Sequence, residues 1–354
     1  MLESNKKSLL NWYSLNKRNL SFRNTKDPYK IWVSEVMLQQ TRINYMLPKF
    51  DKFINKFPSI VSLADSSEEE VLEFWQGLGY YNRALNLRKA AIIIKEKFNS
   101  IFPSDIKEVL KLPGIGAYTS RAVLSIAYNQ PFAVLDGNVK RVLSRYFLFK
   151  ENISLQKSHS KLQELADEFL NILNPSEHNQ ALMDLGSLIC TPIKPNCENC
   201  PLNKSCLAYL HGYTELLPIQ TSDKKLIDLN IIFFLFELDD KLVFYKTNSR
   251  RFFKKISTLP FIINGTSLSN KYSDNSTIGE IMNNLITDSL PIFFGEHSIT
   301  HHKIKLFYIQ KIITKDLYSL FLNSSDVIWG SRKDLLKYFP SSIAIKLNKV
   351  INYA

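Results

Sequence analysis

Two acids in this sequence stand in opposite settings. Asp136 lies within "LPGIGAYTSRAVLSIAYNQPFAVLDGNVKRV" (residues 112–142), and residues 111–150 carry six basic side chains, Lys111, Arg121, Lys140, Arg141, Arg145 and Lys150, against this single acid. An acid kept in a basic, phosphate-facing stretch repels an anionic ligand, so it reads as a helix cap, a chemical group, or both. Asp136 or Asn138 can cap the helix that follows, and backbone N–H donors with the helix dipole then predict an ionised carboxylate of lowered pKa. Glu35, in "YKIWVSEVMLQQTRINYML", has Ile31, Trp32, Leu38 and Gln39 as helical neighbours. Apolar neighbours disfavour the ion and predict a raised pKa. A carboxylate held charged beside a carboxyl held protonated is the pairing that breaks bonds to sugar carbons: one group protonates the leaving group, and the other stabilises an oxocarbenium-like centre.

The four cysteines, Cys190, Cys197, Cys200 and Cys206, fall in one segment, leaving none elsewhere for a disulfide framework. Four thiolates this close point to metal, and the spacing leaves zinc and iron–sulfur both open. "SDIKEVLKLPGIGAYTSRAVLSIAY" reads as helix, turn, helix. Gly114 and Gly116 allow a sharp turn and close approach to another surface, and the second helix opens with free N–H groups suited to a phosphate oxygen.

The elements that must position these groups divide into two textures. The first two-thirds is helical: "DPYKIWVSEVMLQQT" starts with Asp and Pro as cap and first-turn residue, and "SSEEEVLEFWQGLGYY" with Ser and an acidic first turn. From about Leu226 the chain turns β-rich, with two runs around Asp239–Asp240 and another in "HHKIKLFYIQKIIT", which suggests a smaller α+β domain. The expected division is 1–217, a linker at 218–226 where Pro218 and a Lys pair interrupt both patterns, and 227–354. The segment "NGTSLSNKYSDNST" reads as a loop.

With 354 residues and a net charge of +12, the composition favours two packed domains and a polyanionic partner. The charge is shared: residues 1–222 hold 27 basic against 21 acidic residues, and 223–354 hold 18 against 12. The opening twenty residues lack a secretion signal, and the longest apolar run, "IIFFLF", is too short to cross a bilayer. A soluble intracellular protein with no membrane partner is expected.

These motifs resemble those of the helix-hairpin-helix DNA glycosylases, related to endonuclease III, and within them the MutY-type adenine DNA glycosylases. "LPGIGAYTS" is similar to the hairpin, "VLDGNVKRV" to the segment with the catalytic Asp, "SEVMLQQT" to the helix with the catalytic Glu, and the cysteine spacing to the [4Fe–4S] loop. The resemblance covers residues 8–215 most strongly. It implies a mainly α glycosylase domain with an iron–sulfur loop, followed by an α+β Nudix-like domain. It also implies one [4Fe–4S] cluster per chain, a monomer in the bacterial cytoplasm at the nucleoid, and double-stranded DNA carrying adenine opposite 8-oxoguanine or guanine as partner.

By the same resemblance, Glu35 protonates N7 of an everted adenine and Asp136 stabilises the sugar cation. Asn138 orients water or Asp136, and Gln40, Thr41, Leu78 and Tyr80 contact or wedge the duplex. Arg23 and Gln180 line the adenine pocket, although read alone they are a surface charge and a helix-surface amide. Tyr118 stands where the endonuclease III branch has a Lys, and a phenol forms no imine, so hydrolysis without lyase chemistry is implied. In the second domain Thr300 and His301 match the loop that reads 8-oxoguanine, with Ile299 in place of an aromatic; "RRFFKKISTLPF" departs from the family's glycine-rich segment, and Phe22 replaces the usual Trp. Two alternatives accompany this reading: a mismatch glycosylase for thymine or an oxidised pyrimidine, and a catalytically weak lesion-binding DNA protein.

Overall fold

Several of the helical runs in the first part of the chain are opened by a side-chain cap. The computed structural model describes residues 2–221, 226–246, 253, 256–264, 282, 289–299, 301–313, 318, 321 and 327–351. Two units divide the chain, Met1–Ser222 and Asp223–Ala354. In the first, the helices are α1 (Leu2–Asn16), α2 (Pro28–Leu38), α3 (Ile43–Lys56), α4 (Ile60–Ala64), α5 (Glu68–Phe74) and α6 (Asn82–Lys97). They continue as α7 (Ile106–Leu110), α8 (Ala117–Tyr128), α9 (Gly137–Tyr146), α10 (Gln156–Phe169), α11 (Pro175–Leu188) and α12 (Leu207–Leu210). Asp27 caps α2 by accepting from the Tyr29 N–H, with Pro28 in the first turn, and Ser67 with Glu70 forms a capping box on α5. Both expected starts are met.

Tyr29 and every residue from Ile31 to Met37 are buried, so α2 is wrapped on all sides. A helix apolar around its whole circumference runs through a core rather than along a surface, and this is what draws Glu35 inside. Trp32 meets Phe102 at 5.4 Å with the rings tilted 57°, and Phe53 meets Trp75 at 5.8 Å in the same core. On the far side of the unit, the residues leading out of it are tied back. Ile153 N–H donates to Ile219 O at 2.9 Å, and Asn152 and Ser154 bond Thr221 through Nδ2 to Oγ1 and Oγ to the carbonyl. Residues 219 and 221, expected in the linker, are thus bonded to the first unit.

Among the described residues, the second unit is built on a seven-stranded sheet: β1 (Ile227–Leu238), β2 (Lys241–Lys246), β3 (Ser257–Thr258), β4 (Phe261–Asn264), β5 (Ile292–Ile299), β6 (His302–Ile312) and β7 (Val327–Ser331). The path runs β3-β2-β1-β6-β5, with β4 on β1 and β7 on β2; β1 and β6 are parallel and the other pairs antiparallel. Asp239 and Asp240, at φ 48° and 59°, turn β1 into β2, the left-handed pair that a two-residue hairpin needs. Ile231 to Phe236 are all buried, so the middle of β1 is covered on both faces. Two helices, α13 (Leu335–Tyr338) and α14 (Ser342–Ile351), close the described chain. Thr300 lies outside the described residues, as do 250–252, 254 and 255 of "RRFFKKISTLPF" and nearly all of "NGTSLSNKYSDNST".

Candidate active site

Glu35 sits one turn before the end of α2 and is 5% exposed. Tyr118, in the first turn of α8, donates its hydroxyl proton to Glu35 Oε2 at 2.7 Å. Burial pushes the Glu35 carboxyl above its usual range, the Tyr118 hydrogen bond and the Arg23 charge pull it back, and the charge of Asp136 adds to the rise. Tyr118 is itself pushed well above the usual phenol range by burial and by the two carboxylates. The phenol therefore keeps its proton, and its role as donor, beyond the usual phenol range.

Asp136 is the N-cap of α9, accepting from Val139 N–H at 2.6 Å. Its pKa is raised, not lowered as the sequence suggested. Burial outweighs the amides of Val139 and Asn138 and the charges of Arg141 and Arg23, all of which favour the anion. The depth at which the cap would lie was invisible in the sequence, and desolvation of a carboxylate competes directly with its hydrogen bonds.

The convergence is electrostatically closed. Arg23 acts on Glu35, Asp136 and Tyr118 alike. It is no surface charge: its Nη1 lies 2.7 Å from Asp184 Oδ2, off the hydrogen-bond line, and only 11% of its side chain is exposed. Arg18 meets the same carboxylate, with Nη2 2.6 Å and Nε 2.7 Å from Oδ1. Asp184, on α11 and fully buried, thus holds two arginines. Sequence reasoning missed it. The signal was an acid in the apolar run "ALMDLG" with two arginines unaccounted for upstream.

Gln180 is likewise buried rather than a surface amide, with Nε2 donating to Ser176 O at 3.2 Å and Oγ at 3.3 Å. Asn138 serves Asp136 through its backbone N–H; its carboxamide accepts from Arg141 Nη2 at 2.9 Å and reaches Ser187 Oγ at 3.5 Å. Gly186 allows that approach, since a Cβ there would lie 2.7 Å from Asn138 Cβ.

The hairpin places Gly114, Gly116 and Ala117 on the outside while Ile115 anchors it in the core. Gly114 has φ +79°, and a Cβ there would meet Asn86 Cβ at 2.8 Å. Gly116 has open space around it and caps α8 without a side-chain bond, which leaves the first amides of that helix without a side-chain acceptor from the cap. The surrounding basic stretch is not one phosphate-facing surface, however. Lys111 pairs with Glu108 and Arg121 with Asp167, while Arg141 and Arg145 turn inward. Arg141 donates to the carbonyls of Cys190 and Gly186, and Arg145 to those of Leu217, Thr191 and Pro192 and to Cys190 Sγ at 3.3 Å.

The cysteine loop is therefore moored to the helix that Asp136 caps. Cys190, Cys197, Cys200 and Cys206 line one cavity with Val142, Leu185, Ile189 and Leu202. No three of them are close enough to hold one metal ion among the described residues. A single tetrahedral ion with metal–sulfur bonds of about 2.3 Å needs its sulfurs within roughly 4 Å of one another.

Gln40 and Tyr80 are exposed, Tyr80 by 44%, and both adopt left-handed backbone, φ 58° and 48°. Thr41 sits beside Gln40, its hydroxyl 3.4 Å from the Gln39 carbonyl. Leu78, expected as a wedge, is 5% exposed and packs in the core. Its burial pays the hydrophobic term inside the free protein, so the exposed member of that turn is Tyr80. In the second unit His301 connects β5 to β6 and its carbonyl accepts from Ile227 N–H, with its ring 4.1 Å from that of His302. Among the described residues, no helix is long and apolar enough to cross a membrane.

A helical unit with a glycine hairpin, a buried and a half-buried acid and a cysteine loop defines a class of base-excision enzymes, and comparison with known proteins agrees. Residues 33–168 match the profile of the HhH-GPD superfamily base excision DNA repair protein. The adenine DNA glycosylase of Buchnera aphidicola subsp. Baizongia pistaciae is 36% identical over 325 residues, covering 91% of this chain and 89% of that one. Among solved structures, a thermostable thymine-DNA glycosylase is 30% identical with TM-score 0.55, covering 59% of this chain and 97% of that one. A non-covalent endonuclease III–DNA complex shares the fold at 20% identity and TM-score 0.51, covering 60% and 98%. The chain belongs to the adenine DNA glycosylase family. It is a DNA glycosylase of base excision repair.

Proposed function

We propose that this enzyme hydrolyses the N-glycosidic bond of adenine mispaired with 8-oxoguanine or guanine in duplex DNA, acting as a monomer and without a covalent intermediate. The observation that carries the reading is the meeting of Glu35 and Asp136 around Tyr118 and Arg23, a buried and a half-buried acid whose like charges favour a single shared proton. Glu35 keeps that proton because its surroundings are the more thoroughly apolar, and Asp136 holds the negative charge because amides and arginines face it. Tyr118 accounts for one Glu35 oxygen, which leaves Oε1 to carry the proton to N7 of the everted adenine. As the bond to the sugar breaks, the electron pair leaves with the base, and the Asp136 carboxylate stabilises the cation at C1′. Water adds there and returns a proton to the site.

Gly114, Gly116 and the open first turn of α8 hold the DNA backbone, while Gln40, Thr41 and Tyr80 enter the duplex. Leu78 joins them only by leaving the core. Arg23 and Gln180 border the base pocket. The four cysteines hold a [4Fe–4S] cluster, whose chemistry in this reading is to brace the loop that Arg141 and Arg145 join to α9. The second unit is a Nudix-like domain in which Thr300 and His301, between β5 and β6, face the 8-oxoguanine. Support for adenine over thymine comes from coverage: the adenine-type relative matches 91% of the chain and so extends into the sheet unit, whereas the thymine-type structure covers 59%.

Single-turnover assays on duplexes carrying A:8-oxoguanine, A:G, T:G and thymine glycol decide the matter. Release of adenine from the first two is expected; release of a pyrimidine alone overturns the proposal.

A further inference from the structure

Arg83, the second residue of α6, uses its guanidinium to join two turns far apart in the sequence. Nη1 donates to the carbonyls of Val36 (2.7 Å), Met37 (3.2 Å) and Gln39 (2.6 Å), and Nη2 to those of Leu78 (2.9 Å) and Gly79 (3.2 Å). The guanidinium carbon lies 5.4 Å from the Trp75 ring and 5.7 Å from the Tyr80 ring. Trp75 Nε1 donates to the same Gly79 carbonyl. The first three acceptors belong to the end of α2, one to four residues beyond Glu35, where helix carbonyls lack partners and the dipole is negative. The other two belong to the turn that presents Tyr80. Both turns hold a non-glycine residue in left-handed backbone, Gln40 at φ 58° and Tyr80 at φ 48°, a conformation that lasts only where surrounding contacts enforce it.

We propose that Arg83 is a positioning residue that fixes Gln40 and Tyr80 at one spacing so that both enter the duplex as a unit, while holding the end of the helix that carries Glu35. The inference rests on the proposed insertion of Gln40 and Tyr80 into DNA. Only a planar group with donors on two edges serves both turns at once. The Lys ammonium is a point charge with three donors on one atom and reaches one turn or the other, so Arg83→Lys is not conservative here.

The test uses the full chain and a duplex in which 2-aminopurine replaces the target adenine, so that fluorescence reports unstacking. Single-turnover excision from an A:8-oxoguanine duplex and affinity for undamaged duplex are measured alongside. Arg83→Lys and Arg83→Ala are expected to lose the fluorescence rise and to slow excision by roughly 10- to 100-fold, the cost of a misplacement near 1 Å. Affinity for undamaged duplex, which the hairpin supplies, should stay close to the parent. Millimolar methylguanidinium should restore part of the excision by Arg83→Ala and none in Tyr80→Ala, a rescue that a merely destabilised protein does not show. Parent-like unstacking by Arg83→Lys overturns the inference, as does an Arg83→Ala protein that loses undamaged-duplex affinity and is not rescued. Tyr80→Ala separates the two readings: parent-like unstacking in that variant refutes insertion itself, whereas a loss there with normal Arg83→Lys refutes only the role of Arg83.

Discussion

Tyr118 Oη donates to Glu35 Oε2 across 2.7 Å, joining the first turn of α8 to the end of α2. The bond ties the hairpin that faces outward to the acid that lies inside. Tyr118→Phe leaves a buried carboxyl oxygen without its donor, at a cost of about 1–3 kcal/mol in urea unfolding. Because the bond lowers the Glu35 pKa, its loss raises that pKa further. The alkaline limb of the excision profile should therefore move to higher pH, while the rate at the optimum falls about 10-fold through lost orientation.

Glu35→Gln should keep mismatch affinity and lose excision by roughly 10²- to 10⁴-fold, the span usual for a removed general acid. Stability should move the other way. The folded pKa of Glu35 is raised above its unfolded value, so the stability tied to its neutral form is fully present below the ordinary Glu pKa. It is lost as pH rises through the raised value. Gln cannot ionise, so thermal melts should show the variant gaining on the parent toward alkaline pH and losing that advantage in acid. A constant difference across pH would show that Glu35 does not titrate as described.

Asp136→Asn tests the two duties of one residue. Asn is as good an N-cap as Asp, so α9 should hold and stability change by no more than about 0.5 kcal/mol. Excision should fall by about 10²- to 10³-fold, as when one charge-stabilising group is removed. In the parent, burial raises the Asp136 pKa, so the acid limb of the pH profile should lie above the ordinary aspartate range.

Asp184→Ala strands two arginines. Arg18 and Arg23 lose their shared carboxylate, and removing one partner of a buried ion pair costs about 3–5 kcal/mol. Urea unfolding at constant pH measures it. Excision should fall as well, since Arg23 also faces both acids.

On the proposed [4Fe–4S] reading, Cys200→Ser should lower bound iron from about four atoms per chain and reduce stability with it. Iron analysis of the purified protein, with zinc measured on the same sample, decides between the two metals that the spacing leaves open.

The elements were legible where a local rule sets them. Asp27-Pro28, the Ser67 box and the Asp239–Asp240 turn are each fixed by a few adjacent residues, and the structure has all three. Depth was not legible. Arg23 looks like a surface residue because nothing nearby in sequence announces Asp184, which comes from α11 through tertiary packing, and Gln180 looks like one because its bond to Ser176, one turn back on α11, does not reveal that this part of the helix is buried. The same blindness reversed the pKa of Asp136, spread Arg141 and Arg145 over an imagined basic face, and gave Leu78 an outward role. Burial is a property of the assembled core, and a one-dimensional pattern carries it only where a run is apolar on every side, as in α2.

The tie between the 152–154 loop and the chain leaving the first unit bears on how that unit is to be isolated. A chain cut after residue 217 keeps every helix and cysteine but strips acceptors from the Ile153 amide, the Asn152 carboxamide and the Ser154 hydroxyl. Four further residues restore all three, so a catalytic fragment for crystallography or binding work should end at Thr221 rather than at the last helix-side residue.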